Sequence, residues 1–246
     1  MTDSALSVTT RRSLWRRILR LLLWIVALWF AATILTVLAL RWIDPPASAF
    51  MLNASAQATI NRDRTYRWRY EWVDYARISP NAAIAVIAAE DQRFAEHVGF
   101  DLKSIDESIR QHQRGKRLRG ASTITQQVAK NLFLWNGHSF LRKGLEAYFT
   151  VLIETLWTKQ RTLEVYLNIA EFGRGTYGVG AASRYFYGKS AARLTPEEAA
   201  LLAAVLPNPR RFSVHAPSYY VRQRQEWILW QMRALGGRSY LLAFEL

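Results

Sequence analysis

The stretch from Gly120 to Leu134, GASTITQQVAKNLFL, contains the clearest helix start in the chain. Thr123 suits the N-cap position and Gln126 follows three residues later, so the two complete a T-x-x-Q capping box. Apolar residues at helical spacing then form a stripe suited to packing on a core, namely Ile124, Val128 and Leu132. The sequence therefore predicts a helix that buries one side.

The other face of this helix carries hydroxyl, amide and ammonium groups, where a solvent-facing helix usually carries Glu and Lys. At about 100° per residue, the residues on this face are Thr123, Gln126, Gln127 and Lys130. The start of a helix offers free N–H groups and the positive end of the dipole, which together bind phosphate well. Two interpretations stay open: an anion-binding helix, and an ordinary amphipathic helix with a polar solvent face.

The amino-acid composition indicates which kind of molecule the protein binds. The chain has 246 residues, of which 33 are Lys or Arg and 19 are Asp or Glu, and its net charge is +14. Its length allows one or two domains. The charge implies an anionic partner: nucleic acid, a phospholipid surface or a phosphorylated substrate. The absence of cysteine excludes a disulfide framework, a thiolate metal site and a Cys nucleophile.

The N-terminal region has the pattern of a membrane anchor. Residues 1–20 form a basic tail with five arginines, and residues 21–40, LLLWIVALWFAATILTVLAL, carry no charge. About 20 apolar residues suffice to cross a bilayer as a helix. Because Arg41 and Asp44 cancel just after this segment, the positive-inside rule places the N-terminus in the cytoplasm and the rest of the chain outside. A cleaved signal peptide is the alternative, although its candidate site at residues 47–49 lies well past the apolar run.

Residues 41–78 are predicted to be a juxtamembrane connector. Aromatic residues alternate there with arginine and glutamate, at Tyr66, Trp68, Tyr70 and Trp72. This alternation predicts a short strand or an extended segment. Aromatic and basic side chains beside a membrane suit contacts with lipid phosphates, and a solvated strand with one packed face is the alternative.

Residues 79–246 are predicted to form one mainly α-helical domain. Ser79 and Pro80 give an N-cap and a first helical position for an apolar, buried helix that reaches Glu90. Thr195 to Glu198 is a capping box for a helix that stops before Pro207. The other predicted helices run from Phe140 to about Lys159, from Arg161 to Glu171 and from Ser218 to Leu235. The basic run from Gln111 to Gly120 is predicted to be a mobile loop, and the glycines between 173 and 180 a tight turn.

Two glutamates are candidates for acid–base chemistry. Glu90 ends a buried helix, so burial and the negative end of the helix dipole should raise its pKa and favour a general base. Glu146 has Arg142 and Lys143 beside it and should stay ionised. Two carboxylates in different environments are typical of glycosyl chemistry, although either glutamate alone also fits a structural salt bridge. His97 is a further candidate base, or orients the turn after the helix, and no His or Glu spacing suits zinc.

Five segments resemble the successive motifs of the peptidoglycan glycosyltransferase family, which also supplies a domain of class A penicillin-binding proteins. In the family's order they are EDQRFAEHVGFD (90–101), GASTITQQVAKNLFL (120–134), RKGLE (142–146), KQRTLEVYLNIAEFGRGTYGVGAASRYFYGKS (159–190) and LTPEEAALLAAVLPNPRRFS (194–213). The transpeptidase motifs S-x-x-K and K-T-G of the bifunctional relatives do not occur.

The resemblance implies a lysozyme-like fold with a head lobe and a membrane-dipping jaw lobe behind one transmembrane helix. It implies polymerisation of lipid II, a disaccharide-peptide on undecaprenyl diphosphate, into β-1,4-linked glycan with inversion, for bacterial cell wall synthesis. The implied location is the inner membrane, with the catalytic domain in the periplasm. Lipid II, the growing glycan and the membrane are the implied partners, with cell-division or wall-synthesis proteins as candidates and no nucleic acid.

The resemblance also assigns roles to residues. Glu90 matches the base that deprotonates the acceptor 4-hydroxyl, and Glu146 matches the second glutamate near the leaving diphosphate. The donor and diphosphate contacts correspond to Ser122, Thr123, Gln126, Gln127, Lys130, Asn131 and Arg142. Supporting positions in the first motif are Asp91, Phe94, His97 and Gly99. A divalent cation, Mg²⁺ or Mn²⁺, is implied at the diphosphate without a dedicated protein metal site, and no organic cofactor is implied.

Three other functions each fit part of the sequence. A hydrolytic lysozyme-like enzyme needs no diphosphate clamp, so Lys130 and Arg142 argue against it. A non-catalytic scaffold for anionic lipid or polymer explains the charge and the anchor but not Glu90 in a buried helix. Nucleic-acid binding conflicts with a basic domain outside the cytoplasm.

Overall fold

The computed structural model describes residues 3–113, 122–137 and 139–244. The chain divides into two compact units, one up to Ile43 and one from Asp44 onward. The basic run predicted as a mobile loop lies outside the described residues from 114 to 120. Its first three residues, Gln111–Gln113, belong to a helix that was not predicted.

The first unit is built on helix α1, Asp3–Ala39, whose segment Trp15–Ala39 is long and apolar enough to cross a membrane. Large apolar side chains are exposed around this helix, among them Leu22, Trp24 and Leu28. A helix that is apolar on all sides suits lipid rather than water. This one N-terminal apolar helix fits a single-pass membrane anchor.

The second unit is mainly helical, as predicted. Its helices are α2 Ala49–Ile60, α3 Pro80–Glu90, α4 Leu102–Gln113, α5 Ile124–Phe133, α6 Phe140–Leu156, α7 Lys159–Ile169, α8 Val179–Tyr187, α9 Pro196–Val205, α10 Tyr219–Ala234 and α11 Arg238–Leu241. A small sheet has the order β1 (Arg69–Tyr70), β3 (Thr176–Tyr177), β2 (Glu171–Gly173), in which β1 is parallel and β2 antiparallel to β3.

The core is centred on α3, which packs against α9 and α10. Every residue of α3 from Ala82 to Ala88 is buried. Alanines dominate both α3 and α9, and these small side chains let the two helix backbones approach closely. Ser79 and Pro80 start α3 as predicted, with the Ser79 side chain accepting from the Asn81 N–H. The chain therefore delivers Glu90 at the end of a rigid, buried helix.

A second layer is formed by α5, which packs against α2, α6 and α7. Thr123 and Gln126 form the predicted capping box, in which each side chain accepts from the other's backbone N–H. The predicted apolar stripe, Ile124, Val128 and Leu132, is buried. This packing holds the start of α5 close to the end of α3.

Several predicted boundaries were wrong. The helix expected to run to Glu171 ends at Ile169, because the chain leaves it at Ala170 to enter the sheet. The helix expected to reach Lys159 ends at Leu156, and Thr158 caps the next one. The alternating segment does form strand β1, but only over Arg69–Tyr70. Helices α2, α4, α8 and α11 were not predicted.

Candidate active site

Glu90 lies at the C-terminal end of α3 with 14% of its side chain exposed. Gln127 Nε2 donates to its Oε2 at 2.9 Å, and Arg224 Nη2 donates to its Oε1 at 3.3 Å. Burial raises the pKa of Glu90, and the hydrogen bond from Gln127 and the positive charge of Arg224 oppose that rise without cancelling it. The sequence-based expectation of a raised pKa is therefore confirmed, and the carboxylate is poised to take up a proton.

Gln127 is oriented by a second hydrogen bond. The hydroxyl of the fully buried Tyr166 donates to Gln127 Oε1 at 3.1 Å. Because the amide oxygen is occupied, the amide nitrogen faces the carboxylate of Glu90. Burial also raises the pKa of Tyr166 well above its ordinary value, so its hydroxyl remains a donor.

A cavity of about 480 Å³ opens over Glu90. Among the residues that line it are Glu90, Ser122, Gln127, Arg224 and Trp227. An indole, hydroxyl and amide groups, and a carboxylate that can accept a proton together suit a sugar with a reacting hydroxyl group.

A second cavity, of about 440 Å³, is lined by three cationic side chains and one carboxylate: Lys130, Arg142, Lys143 and Glu146. Arg142 Nη1 donates to Glu146 Oε2 at 2.7 Å, and Lys143 pairs with the other oxygen. Both Arg142 and Glu146 are buried. Positive charge is left in excess, and it belongs chiefly to Lys130.

Lys130 is the least neutralised of these cations. Burial lowers its pKa, and repulsion from Arg142 and Lys143 adds to this effect, whereas the attraction of Glu146 and Glu90 raises it. Its ammonium lies 5.5 Å from the centroid of the Phe50 ring. A partly desolvated ammonium in a cationic cavity gains from binding an anion, because the anion stabilises its positive charge.

The two cavities share Ser122 and Gln127. Ser122 is exposed just before the cap of α5, and Gln127 lies in the first turn. Of the other residues predicted to contact substrate, Gln126 lines the cationic cavity and Thr123 the cavity over Glu90. Asn131, next to Lys130, is half-buried and is not among the described residues that line either cavity.

Two of the N–H groups at the start of α5 that were expected to be free for a phosphate are taken by side chains of the protein itself. Asp91 Oδ2 accepts from the Ile124 N–H at 2.9 Å, and the Gln126 N–H is taken by Thr123 Oγ1. The chain's own carboxylate therefore occupies the positive end of the helix, as the dipole favours. Thr123 and Gln126 are buried in the capping box rather than presented to solvent.

His97 holds Asp91 in this position. Its Nε2 lies 2.8 Å from Asp91 Oδ1, and both side chains are buried. Within the described residues, His97 Nδ1 is buried without a hydrogen-bond partner. Both oxygens of Asp91 are thus occupied by hydrogen bonds to His97 and to the start of α5. Because His97 holds this carboxylate, an orienting role fits His97 better than a role as catalytic base.

Gly99 and Phe94 support the same junction. The carbonyl of Gly99 accepts from Thr123 Oγ1 at 2.6 Å. Gly99 has φ of +76°, and a Cβ there would lie 2.8 Å from both Glu154 Cγ and Thr150 Cγ2, so only glycine fits. Phe94 is fully buried, with the Lys159 ammonium 4.7 Å from its ring centroid.

Sequence reasoning missed Arg224 and Tyr166. The signal for Arg224 was present, because it lies at helical spacing between the apolar residues Val221 and Ile228, which α10 buries. A cation on the buried stripe of a helix needs a carboxylate partner, and Glu90 is that partner. Tyr166 gave no comparable signal, since an aromatic residue in a buried stripe is ordinary.

The described residues contain no cluster of three or more His, Asp or Glu side chains that could hold a metal ion. In the cationic cavity, both oxygens of Glu146 already pair with Arg142 and Lys143. This donor set by itself does not form a metal site.

Known proteins match the chain over most of its length. The sequence profile of the transglycosylase family matches residues 56–233. A biosynthetic peptidoglycan transglycosylase of Xanthomonas campestris pv. campestris is 52% identical over 231 residues, which is 93% of this chain and 94% of that protein. The protein of the same description from Pseudomonas aeruginosa is 50% identical over 234 residues, 95% of this chain and 99% of the relative.

These matches agree with the resemblance seen in the five motifs, and the family has the lysozyme-like fold that the resemblance implied. The match covers the helices that carry Glu90, Lys130, Glu146 and Arg224. On this profile match and on these identities, the chain belongs to the transglycosylase family.

Proposed function

We propose that this chain is a peptidoglycan glycosyltransferase that polymerises lipid II into β-1,4-linked glycan and releases undecaprenyl diphosphate. The observation that carries the proposal is the position of Gln127. Its amide holds the carboxylate of Glu90, and its side chain lines the cationic cavity of Lys130, Arg142 and Glu146. A proton acceptor and an anion site are thereby adjacent, which glycosyl transfer from a diphosphate-linked donor requires.

The reaction proceeds by direct displacement at the anomeric carbon. The acceptor's 4-hydroxyl group binds in the cavity over Glu90 and loses its proton to that carboxylate as its oxygen attacks the donor. The bond from the anomeric carbon to the diphosphate oxygen breaks, and the electron pair leaves with the diphosphate. Attack from the face opposite the leaving group inverts the configuration.

The leaving diphosphate develops negative charge in the cationic cavity. Lys130 and Arg142 are the residues we assign to that charge, because fixed cations in a partly desolvated site stabilise a developing anion strongly. Glu146 holds Arg142 and Lys143 in place from the protein side. Ser122 and Gln127, which line both cavities, lie where donor and acceptor sugars meet.

The divalent cation expected from the resemblance stays a prediction. Because Glu146 is already paired, Mg²⁺ would be held mainly by the diphosphate oxygens, with Glu146 as the carboxylate among the described lining residues. When bound, the ion would neutralise charge on the leaving diphosphate. None of the steps above depends on it.

The proposed location follows from the anchor and the basic tail. Helix α1 holds the protein in the bacterial inner membrane, with the N-terminus in the cytoplasm and the catalytic unit in the periplasm. Lipid II also lies in this membrane, so the substrate reaches the site by lateral diffusion. Cell-division or wall-synthesis proteins are proposed as further partners on the basis of the resemblance alone.

The test is an incubation of the purified full-length chain with lipid II, and in a separate sample with preformed glycan, followed by separation of the products. Long glycan that lysozyme digests supports the proposal. Shorter fragments from preformed glycan indicate a hydrolase instead, and unchanged lipid II together with unchanged glycan contradicts both activities.

A further inference from the structure

A third cavity, of about 440 Å³, lies beside the C-terminal end of α2 and shares no lining residue with the two cavities of the active site. It is formed by the end of this helix and the segment that leads into β1. The residues that give it chemical character are Ser55, Arg62, Arg64, Tyr66 and Trp68. The catalytic proposal uses none of them.

The charge of this cavity is not neutralised. Within the described residues, neither Arg62 nor Arg64 has a carboxylate within ion-pair distance. Asp63, the acidic residue that lines the cavity, is already paired with Arg174. The guanidinium of Arg67 donates to the Arg64 carbonyl at 2.8 Å and adds a further positive charge beside the cavity.

Arg62 occupies a backbone position that suits glycine. It follows the C-cap Asn61 with φ of +53°, in the left-handed region where helices commonly end. The Arg62 N–H donates to the Thr59 carbonyl at 3.1 Å and the Asp63 N–H to the Ala58 carbonyl at 2.8 Å. Glycine makes the same two bonds with less strain. The guanidinium is therefore what this residue adds to the protein.

The remaining groups suit a phosphate at an apolar–aqueous boundary. Ser55 Oγ is buried without a hydrogen-bond partner within the described residues, so this residue brings an unsatisfied hydroxyl donor to the wall of the cavity. Trp68 is 42% exposed. An exposed indole beside guanidinium groups is typical of the headgroup region of a membrane.

Helix α2 connects this cavity to the active site. Phe50, in its first turn, lines the cationic cavity, and Ser55 and Thr59 line the third one. A rise of about 1.5 Å per residue separates them by roughly 8–14 Å along the helix axis. If the cationic cavity receives a lipid-linked diphosphate, which rests on the proposed function, the third cavity lies within reach of the same lipid surface.

We propose that Arg62 and Arg64, with Ser55 and Trp68, bind the phosphate of an anionic phospholipid headgroup. The occupied site fixes the end of α2, and with it the wall of the substrate cavity that Phe50 forms, against the bilayer surface. The ligand class follows from the exposed indole, from two guanidinium groups without a carboxylate partner among the described residues, and from a hydroxyl that is likewise unsatisfied there.

The test measures binding of short-chain phosphatidylglycerol to the full-length chain in a neutral detergent, by isothermal titration calorimetry. The double variant Arg62→Gly/Arg64→Ala should bind roughly thirtyfold more weakly, because it removes two charges near the phosphate. Arg193→Ala is the matched control, since it removes an exposed arginine that lines none of the three cavities, and it should bind like the wild type.

Three further measurements decide the outcome. Arg62→Gly alone should bind more weakly yet melt at the same or a higher temperature, because glycine relieves the strained backbone; a large loss of thermal stability overturns the argument from strain. Equal weakening in Arg193→Ala, or equally tight binding of inorganic phosphate, overturns the lipid site. Glu90→Gln should retain phosphatidylglycerol binding while losing glycan synthesis, so failure of the catalytic proposal is distinguishable from failure of this one.

Discussion

Gln127 Nε2 donates to Glu90 Oε2 across 2.9 Å, and this bond joins the first turn of α5 to the last residue of α3. The amide opposes the rise in the pKa of Glu90 that burial causes. Gln127 also lines the cationic cavity, so its hydrogen bond holds Glu90 beside that cavity. Gln127 thus moderates the rise in the pKa of Glu90 that burial causes, and it links this carboxylate to the cationic cavity.

Glu90→Gln should abolish most of the polymerisation of lipid II. The variant keeps the size of the side chain but cannot accept a proton, and a proton-transfer group contributes roughly 10²–10⁴-fold to the rate. Lipid II binding should persist, because Lys130 and Arg142 are intact. Initial rates and equilibrium binding measure the two effects, with the exposed Glu226→Gln as the matched control. A correctly folded Glu90→Gln enzyme with a near wild-type rate would refute the assignment.

The same substitution should stabilise the fold at neutral pH. Glu90 has a folded-state pKa raised from its ordinary value of 4.5. Between these two values the folded state binds more protons than the unfolded state, so stability falls as the pH rises through that window. Gln carries no such penalty. The thermal midpoint of Glu90→Gln should therefore exceed that of the wild type at pH 7, and the gap should close below pH 4.5. A gap that widens on acidification would contradict the raised pKa.

Arg224 should act on the rate through the pKa of Glu90. Its guanidinium, 3.3 Å from Glu90 Oε1, lowers that pKa, so Arg224→Gln should move the acid limb of the kcat/KM profile to higher pH. Arg224→Lys should restore part of the shift, since it keeps the charge. The exposed Arg222→Gln, two residues earlier on α10, is the control. A lower rate with an unmoved acid limb would assign Arg224 a purely structural role.

The topology can be read with reporters fused to the C-terminus. Because five arginines precede the apolar segment, the second unit should lie outside the cytoplasm. An alkaline phosphatase fusion, active only outside, should work, whereas a green fluorescent protein fusion exported through the same route should stay dark. The reverse pair of results would place the catalytic unit in the cytoplasm and contradict the proposed location.

Local signals made α3, α5 and α9 predictable from the sequence. Each begins with a side chain that caps its own helix, Ser79, Thr123 and Thr195. Helices α3 and α9 continue into apolar runs, and α5 carries apolar residues at helical spacing. The alternation at residues 66–72 predicted strand β1, but the pairing in the sheet was not predictable, because it joins distant segments such as those of Arg69 and Thr176.

The residues of the candidate site also fall into two groups: those that a local sequence pattern indicates and those that only the folded chain brings together. Glu90 was found from the sequence because its own helix buries it, and Glu146 because its cations are neighbours on one turn of α6. Arg224 contacts Glu90 although the two residues lie 134 positions apart in the chain. No local sequence pattern predicts a contact between residues so far apart. The occupation of the α5 start by Asp91 was missed for the same reason, since only the folded chain brings the two together.

Two of the three cations of the second cavity, Arg142 and Lys130, should differ in their effects on stability and on binding. Arg142 and Glu146 form a buried pair, so Arg142→Ala leaves a buried carboxylate with Lys143 alone and should cost roughly 3 kcal/mol of unfolding free energy.

Lys130 has no carboxylate within ion-pair distance among the described residues, so Lys130→Ala should leave the thermal midpoint nearly unchanged. Its loss should instead weaken lipid II binding about 10- to 100-fold, because a charge-assisted contact with phosphate contributes roughly 1.5–3 kcal/mol. The exposed Lys103→Ala, which lines neither active-site cavity, controls for net charge. Equilibrium binding of lipid II is measured in proteins that also carry Glu90→Gln, because these do not polymerise the substrate. The measured affinity then reports binding of lipid II before the reaction. If Lys130→Ala binds lipid II as tightly as its parent in that background, the ammonium acts only on the leaving group in the transition state, and its assignment to substrate binding fails.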